Sequence, residues 1–443
     1  MKKQRSEIQL TDNAAENGDV FGSTILKKYA SSAALQATSV LLTVCSSFLL
    51  ARLLGAEGFG IYSYLFSWVT VLATLCTWGT DDLAMRECAG PGKGGSAFLS
   101  TAYAAWAFRR TAALSTSFVL ALYAALFFFN EKLPDAWLLP AVFAIPAILF
   151  VPLLRLSSSM LLGLKKVVAG QWPEKAGKPA LLLLLVSATY IIVKSLDAGT
   201  AVLINSFAFF TAMAVSVMLV LKYKNPGGQT PGNAGWGRSA NYFLMLGLVS
   251  VVNSRADILM LGFFRSSEEV GSYALAARLS DFIPFALVVI NPVTAPLFAS
   301  YFKSGNRNAL QSLFSRSAMI SFVVACAVFG LLFLAGKPLL SFFGAAFVTA
   351  YIPMVLLGGG QLFNAFAGSV GNLLNMAGFE KNAFISQGIA VCCNILLNLL
   401  LIPHYGMTGA AIATAFALFL WNLLMIIQVK KKTGIWPTAF PIK

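Results

Sequence analysis

Apolar runs recur along the whole of this chain, and each is about 20 residues long, the length at which an α-helix crosses the hydrocarbon core of a bilayer. Lipid offers the backbone no hydrogen-bond partner, so spanning segments of this kind are helical. The composition agrees, since 58% of the residues are hydrophobic and 11% are charged. We therefore predict an all-α integral membrane protein with about twelve transmembrane helices. The predicted spans cover residues 30–53, 59–85, 108–129, 136–162, 168–193, 199–222, 239–263, 270–300, 313–335, 348–376, 383–402 and 408–429.

Polar segments divide the chain into two equal sets of spans. The stretch YKNPGGQTPGNAGWGR is rich in Gly, Pro and Asn, as is typical of a linker, and it follows the sixth predicted span. The predicted domains are a tail over 1–24, an N-terminal six-helix lobe over 25–222, a linker over 223–238, a C-terminal six-helix lobe over 239–430 and a second tail over 431–443.

The distribution of Lys and Arg predicts the orientation of the spans, because cytoplasmic loops carry an excess of these residues. If the N-terminus is cytoplasmic, most of them fall in cytoplasmic loops and tails. The outer loops then hold only Arg52, Lys132, Lys194, Arg265 and Lys337. We expect a multi-pass protein of the bacterial cytoplasmic (inner) membrane with both termini in the cytoplasm. This asymmetry accounts for the net charge of +15 without a nucleic-acid partner.

A short motif occurs twice, as GAEGFGIYSY at 55–64 and as SSEEVGSYAL at 266–275. Both copies fall at a predicted outer turn, one between spans 1 and 2 and one between spans 7 and 8. Because six spans separate them, the two halves have the same orientation and form a parallel repeat. Repeats of this kind in transporters place a substrate site between the halves, near the middle of the membrane. The matching residues are Glu57, Gly60 and Tyr62 in the first copy and Glu268, Gly271 and Tyr273 in the second.

Apart from the bases at span ends that are counted with the loops, ten charged residues lie within the predicted spans, where a charge costs about 2.5–3.5 kcal/mol on insertion scales. Such residues usually face a cavity or pair with one another. The bases are Arg155, Lys175, Lys178, Arg255 and Arg278, and the acids are Asp81, Asp82, Glu174, Asp257 and Asp281.

Pairing along a helix is one explanation of these charges. Glu174 and Lys178 are four residues apart, and Arg278 and Asp281 are three apart, so either pair meets the spacing of an intrahelical ion pair. Arg255 and Asp257 are two apart and point away from each other.

Position along the span separates two further groups of charges. Lys175, Lys178, Asp81 and Asp82 lie near span ends, where side chains reach interfacial water. Arg255 and Arg278 are nearly three turns deep on consecutive spans, and for these two we expect a water-filled cavity between the lobes.

The charges of the second half have no charged counterpart at the equivalent positions of the first. Subtracting the repeat offset of 211 from Arg255, Asp257, Arg278 and Asp281 leads to Val44, Ser46, Ser67 and Thr70. The first half therefore holds apolar or hydroxyl residues where the second holds charge, and the repeat itself does not require the charges.

Signatures of an enzyme or of a bound cofactor do not occur in the sequence. The six Cys have no metal-binding spacing, and His404, the single His, falls in a predicted loop. The longest predicted outer loop is about a dozen residues, too short for a catalytic domain. The stretch LLGGGQ at 356–361 lies in an apolar run without a following Lys, so it favours close helix packing and is not a phosphate loop. We predict a non-enzymatic protein with no cofactor and no metal.

Three stretches resemble the polysaccharide-biosynthesis branch of the multidrug/oligosaccharidyl-lipid/polysaccharide exporter superfamily, which includes the Wzx-like oligosaccharide flippases. They are FLLARLLGAEGFGIYSYLFSWVTVLATLCTWG at 48–79, DILMLGFFRSSEEVGSYALAARL at 257–279 and LNLLLIPHYGMTGAAIATAFAL at 397–418. The resemblance implies a two-lobed MATE-like fold. It also implies that the chain flips an undecaprenyl-diphosphate-linked oligosaccharide from the cytoplasmic to the outer leaflet, with lipids and other polysaccharide assembly proteins as partners.

In such flippases, basic cavity residues are thought to meet the diphosphate. By character, this role falls here on Arg155, Arg255 and Arg278, with Lys175 and Lys178 as further candidates. We expect transport to be driven by the membrane potential or by coupling to Na⁺ or H⁺. The candidates for the coupling acid are Asp257, Asp281, Asp81 and Glu174.

Three other functions stay open at this point. A cation-coupled small-molecule antiporter of the MATE type has the same fold, but its cavity should be net acidic. Lipid II flippases resemble this fold but usually carry fourteen helices and basic residues in span 1, whereas this span 1 has no charge between Lys28 and Arg52. A non-transporting scaffold is the third alternative.

Overall fold

The structure is a computed structural model that describes residues 23–88, 101–129, 131, 134–223 and 235–440. The predicted N-terminal tail and most of the predicted linker lie outside these residues, as does Lys132. The helices are α1 (Ser23–Thr77), α2 (Thr80–Cys88), α3 (Thr101–Phe129), α4 (Asp135–Ala144), α5 (Ala147–Gly163), α6 (Val167–Trp172), α7 (Lys178–Val193), α8 (Ala198–Tyr223), α9 (Trp236–Phe264), α10 (Ser267–Ser280), α11 (Phe285–Lys303), α12 (Arg307–Phe343), α13 (Tyr351–Ala367), α14 (Val370–Met376) and α15 (Glu380–Thr433). A π-helical turn (Pro173–Gly177) joins α6 to α7, and a 3₁₀ turn (Ala345–Ala350) precedes α13.

The predicted all-α membrane fold is confirmed. Within the described residues, ten helical segments are long and apolar enough to cross a membrane. Two of them, in α1 and α15, contain a glycine with a left-handed backbone, Gly55 (φ 68°) and Gly406 (φ 53°). If each glycine divides its helix into two spans, the count is consistent with twelve.

Contacts show that α15 turns back at Gly406. Asn394 Nδ2 donates to Thr414 Oγ1 at 3.2 Å, although a straight helix would place residues so far apart in sequence about 30 Å apart. The same holds for α1, where Thr43 and Thr70 line one cavity but would be about 40 Å apart on a straight helix. The predicted connection at 403–407 contains this reversal but is shorter than expected, since the helix continues to Gly406 and His404 lies in its last turn before the reversal.

Two predicted spans are broken. Span 2 was predicted to continue to residue 85, but α1 ends at Thr77, and α2 begins after Trp78 and Gly79, both with positive φ. A Cβ at Gly79 would overlap the carbonyl oxygen of Ala240, so the break lets α9 approach closely.

Span 8 was predicted as one helix over 270–300. It consists of α10 and α11, separated by a turn at 281–284 in which Pro284 precedes the second helix and cannot donate a backbone hydrogen bond.

Shorter irregularities interrupt three other predicted spans. Span 4 breaks at Pro146, between α4 and α5, and span 5 contains the π-helical turn. Span 10 ends at Ala367, because Gly368 has φ 67° and starts a bend before α14. Proline and glycine therefore divide these spans into shorter helical pieces.

The two copies of the repeated motif touch each other. An added Cβ at Gly60 would overlap the carbonyl oxygen of Ser267, and one at Gly271 would overlap the carbonyl oxygen of Ala56. The offset of 211 relates Gly60 to Gly271 and Ala56 to Ser267, so it maps one contact onto the other, and the crossing of α1 and α10 has two-fold pseudosymmetry. Only glycine permits this approach of two helix backbones. The repeat therefore holds the two lobes together at the predicted outer side.

The lobes also meet at the predicted cytoplasmic side. Trp78 Nε1 donates to Asn241 Oδ1 at 2.7 Å, and Arg86 donates to Ser239 at 3.3 Å. These contacts and the glycine crossing join the two halves at the predicted cytoplasmic and outer sides.

The segment after α15, which belongs to the predicted tail over 431–443, packs on the C-terminal lobe. Gln311 forms two hydrogen bonds of 2.8 Å with the backbone of Trp436, and Ala439 N donates to Phe366 O at 3.1 Å. Ile435 and Ala439 are buried. Residues 434–440 therefore tie the end of α15 to α12 and α13.

Candidate functional site: two cavities between the lobes

A central cavity of about 370 Å³ lies between the two lobes. Its lining includes Ser46 and Tyr62 from α1 and Asn205 from α8 in the first lobe, and Arg255 and Tyr273 in the second. Residues from both halves of the chain therefore line one polar space.

Three basic side chains from the predicted set face this cavity: Lys178, Arg255 and Arg278. The Arg255 Nε is buried and has no hydrogen-bond partner among the described residues. No hydrogen bond from that part of the chain reaches the Arg278 guanidinium either. Lys178 Nζ lies 4.3 Å from the centre of the Phe209 ring, a cation–π contact. All three charges therefore remain available to a ligand.

The predicted intrahelical ion pairs do not form. Within the described residues, the single ion pair joins Arg86 and Glu87. Glu174 and Lys178 do not meet because the π-helical turn between them changes the number of residues per turn. Arg278 and Asp281 do not pair because α10 ends between them, and Asp281 Oδ1 instead accepts a hydrogen bond of 3.4 Å from Gln361.

An oxygen-rich cluster occupies the side of the cavity formed by the second lobe. Asp257 Oδ2 accepts from the Tyr273 hydroxyl at 2.5 Å, and its Oδ1 accepts from the Ile258 backbone N–H at 2.9 Å. Asn394, which donates to Thr414, accepts in turn from Asn398 at 3.0 Å. As predicted, Asp257 and Arg255 do not neutralise each other.

A second cavity of about 320 Å³ lies next to the first, toward the predicted cytoplasmic side. Arg155 lines it and donates to Thr74 Oγ1 at 3.1 Å. Asp81 and Asp82, in the first turn of α2, line it as well. Three residues line both cavities: Thr70, Ser254 and Arg255. Arg255 therefore lies at the junction of the two spaces.

The remaining predicted site residues lie elsewhere. Lys175 Nζ donates to Gln36 Oε1 at 2.8 Å, and neither Lys175 nor Glu174 lines either cavity. The π-helical turn that carries both residues directs Lys178, the residue that follows it, into the central cavity.

Several polar residues of the cavity were not predicted from the sequence. Tyr62 and Tyr273 belong to the repeated motif, and both line the central cavity, so the repeat itself was a signal for them. Asn205 is 2% exposed, and its side-chain oxygen has no partner among the described residues. Asn394 and Asn398, at helical spacing in an apolar run, were a second signal, because polar groups in a membrane helix usually face other polar groups.

No cluster of three or more His, Cys, Asp or Glu side chains that would suit a metal ion occurs in the described part of the chain.

The fold is that of the MATE-like membrane transporters. An inward-facing multidrug resistance MATE family transporter of the MOP superfamily superposes with a TM-score of 0.68 at 13% identity, over 89% of this chain and 94% of that one. The lipid II flippase MurJ, in an inward closed conformation, superposes with a TM-score of 0.67 at 15% identity, over 90% of this chain and 87% of that one. At these identities the likeness concerns the fold alone.

The sequence model of one family, described as polysaccharide biosynthesis protein, matches residues 25–302. The match covers more than half of the chain, which therefore belongs to this family, as the three resembling stretches predicted.

Two curated relatives come from the archaeon Haloferax volcanii. The probable flippase AglR is 27% identical over 206 residues, which are 46% of this chain and 43% of AglR. The probable low-salt glycan biosynthesis flippase Agl15 is 26% identical over 165 residues, which are 36% of this chain and 34% of Agl15. The chain thus matches less than half the length of these relatives.

Proposed function

We propose that this protein is a flippase that moves an undecaprenyl-diphosphate-linked oligosaccharide from the cytoplasmic to the outer leaflet, for surface polysaccharide biosynthesis. The observation that carries the proposal is the central cavity, in which Arg255 and Arg278 have no hydrogen-bond partner within the described residues. The family and the names of the two flippase relatives support it.

The chemistry of the cavity favours an anionic ligand. A diphosphate presents several negatively charged oxygens, and a guanidinium binds two such oxygens at once through its fork of N–H donors. Of the acids that line the cavity, Asp257 is already engaged by Tyr273. A cationic drug, the substrate of the rival antiporter, would add positive charge beside two unpaired guanidinium groups. A diphosphate supplies the partner that they lack.

The two cavities suggest a route for the head group. Arg155 lines the cavity on the predicted cytoplasmic side, Arg255 lines both, and Arg278 lines the central cavity. In our proposal the diphosphate passes along this series as the lobes rock between inward and outward states, while the lipid tail stays in the bilayer.

Asp257 is our proposed coupling site. Its carboxylate, the Tyr273 hydroxyl, the Asn394 amide and the Thr414 hydroxyl supply the oxygen atoms that a hard cation prefers, and the carboxylate alone suits a proton. Among the other candidates, Asp281 faces the central cavity but bonds Gln361, Asp81 belongs to the second cavity, and Glu174 faces neither.

The proposed direction of transport depends on the orientation of the chain. With both termini cytoplasmic, a cysteine introduced at position 228 should resist a membrane-impermeant thiol reagent in intact cells, and one at 132 or 404 should react. A reactive cysteine at 228 in sealed cells would reverse the orientation and with it the direction.

A deletion strain separates the proposed flippase from the antiporter. Loss of a flippase should trap undecaprenyl-linked oligosaccharide in the inner leaflet and deplete the mature polymer outside the cell. Loss of a drug antiporter should leave the polymer unchanged and sensitise the cells to cationic dyes. Unchanged polymer with new sensitivity to cationic dyes would reject the proposal in favour of the antiporter. Unchanged polymer without dye sensitivity would reject it in favour of a scaffold.

A further inference from the structure

The second cavity has a wall of hydrogen-bond acceptors. Thr70, Thr74 and Thr77 line it from one face of α1, and Ser254 lines it from α9. Each of these four hydroxyls donates to a backbone carbonyl of its own helix, at distances from 2.7 to 3.0 Å. A hydroxyl whose proton is used in this way keeps lone pairs that accept further hydrogen bonds. The wall therefore offers acceptors to whatever fills the cavity.

Two carboxylates add to this acceptor set. Asp81 and Asp82 line the same cavity, and no ion pair within the described residues engages either of them. The charged donors on the cavity wall are the guanidinium groups of Arg155 and Arg255. Arg155 already donates to Thr74, whereas the buried Nε of Arg255 has no partner in the described part of the chain.

The size and position of the cavity fit a small polar group joined to the diphosphate. Its volume of about 320 Å³ is at the lower end of the range of small-molecule sites, which is roughly 300–1,000 Å³. Because Arg255 lines both cavities, a ligand whose diphosphate meets Arg255 and Arg278 can place its next group in the second cavity.

We propose that the second cavity binds the sugar attached directly to the diphosphate, and that its acceptor wall and paired carboxylates select a neutral or amino sugar over an acidic one. This inference rests on the proposed flippase function and extends it to the class of glycan. A neutral sugar carries hydroxyl donors for the threonine oxygens and for both carboxylates. A hexuronic acid brings a third carboxylate beside Asp81 and Asp82, and like charges repel in a cavity of reduced dielectric.

Binding of three defined lipids to the purified protein in nanodiscs tests the proposal. The probes are undecaprenyl diphosphate alone, undecaprenyl diphosphate linked to N-acetylhexosamine, and undecaprenyl diphosphate linked to hexuronic acid. We expect the neutral sugar lipid to bind more tightly than the acidic one by about tenfold, since one like-charge contact at an effective dielectric of 20 is large enough to produce this ratio. The Asp81→Asn/Asp82→Asn variant should reduce the ratio to about threefold or less.

Asp135→Asn is the matched control, because Asp135 also lies in the first turn of a short helix but lines neither cavity. It should keep the wild-type ratio, and thermal unfolding curves should show that all variants are folded. If the wild type binds both sugar lipids equally, or if the preference survives in the double Asn variant, the inference is wrong while the flippase proposal stands. If undecaprenyl diphosphate itself does not bind, both are wrong.

Discussion

Equivalent positions of the two halves have the same role at the predicted outer side and different roles in the central cavity. At the predicted outer side, Gly60 and Gly271 make the same backbone contact from opposite lobes. In the cavity below, Ser46 and Asp257 are related by the same offset but differ in chemistry. Ser46 Oγ donates to the carbonyl oxygen of Leu42 at 2.6 Å, whereas Asp257 accepts from Tyr273.

The same difference, a hydroxyl in the first half and a charge in the second, is found at two further pairs of equivalent positions. Ser67 and Thr70 donate to the backbone of their own helix, each at 2.7 Å. Their counterparts, Arg278 and Asp281, both line the central cavity and do not pair with each other. The duplicated fold thus forms the cavity, and residues of the second half without a charged counterpart in the first, together with Lys178, give the cavity its charge. A ligand site built on a symmetric fold is to be sought where the symmetry fails.

The largest expected effect comes from removing the second-half cations. Arg255→Ala and Arg278→Ala should each lower polymer export by about 10- to 150-fold, because a hydrogen bond to a charged group contributes roughly 1.5–3 kcal/mol. Arg→Lys at either position should restore part of the export, since Lys keeps the charge but loses the fork. Polymer at the cell surface, normalised to protein abundance in the membrane, is the measurement.

Arg238→Ala is the matched control for this comparison. Arg238 is exposed and lies on the same helix as Arg255, outside both cavities. Its loss should leave export unchanged. Normal export by both cavity variants would show that these arginines do not bind the substrate and that the asymmetry of the halves has another cause.

A smaller effect, similar for the two lobes, should follow from adding a Cβ at either glycine of this contact. Gly60→Ala and Gly271→Ala each place a Cβ where a carbonyl oxygen of the other lobe lies, and overpacking of this kind costs about 1–3 kcal/mol. The lobes should then separate more easily at the predicted outer side, and export should fall by a similar factor, about tenfold, in both variants.

Gly359→Ala is the control for these variants, because no atom lies within 4 Å of the Cβ that it would add. It should retain wild-type export. A large effect from one glycine variant without the other would show that the crossing is not equivalent in the two lobes.

The smallest expected effect on transport is that of Asp257→Asn, which we compare with a substitution of its counterpart, Ser46. Asp257→Asn keeps the size of the side chain but removes its charge, and we expect transport to fall by about two- to tenfold, the range of a single hydrogen bond of roughly 0.5–1.5 kcal/mol. The residual transport should no longer respond to the Na⁺ or H⁺ gradient. Ser46→Ala should keep both the rate and the response. Transport that still follows the gradient in Asp257→Asn would exclude this residue as the coupling site.

Much of the fold follows from the sequence because lipid limits the backbone to helices. Span number, lobe boundaries and the cleft between the lobes depend on hydropathy, on the linker and on the repeated motif. The breaks at Gly79 and at 281–284 were not predicted, because glycine and proline are common in intact membrane helices as well.

The site was predicted less completely than the fold. The depth of Arg255 and Arg278 in their spans was enough to place them in the cavity. The pairing of Glu174 with Lys178 failed because the π-helical turn is not visible in the spacing of residues. Tyr62, Asn205 and Gln361 lie on helices whose cavity-facing side is set by contacts between lobes, which hydropathy does not encode.

The most direct test of the proposed function is transport by the purified protein. Undecaprenyl-diphosphate-linked oligosaccharide with a fluorescent sugar is placed in both leaflets of proteoliposomes, and a membrane-impermeant quencher is added outside. Protein-free vesicles should lose the fluorescence of the outer leaflet only. Our account predicts that the wild-type protein makes nearly all of the fluorescence quenchable and that the Arg255→Ala/Arg278→Ala variant behaves like protein-free vesicles. Quenching confined to the outer leaflet with folded wild-type protein, under an imposed Na⁺ or H⁺ gradient and membrane potential, would contradict it.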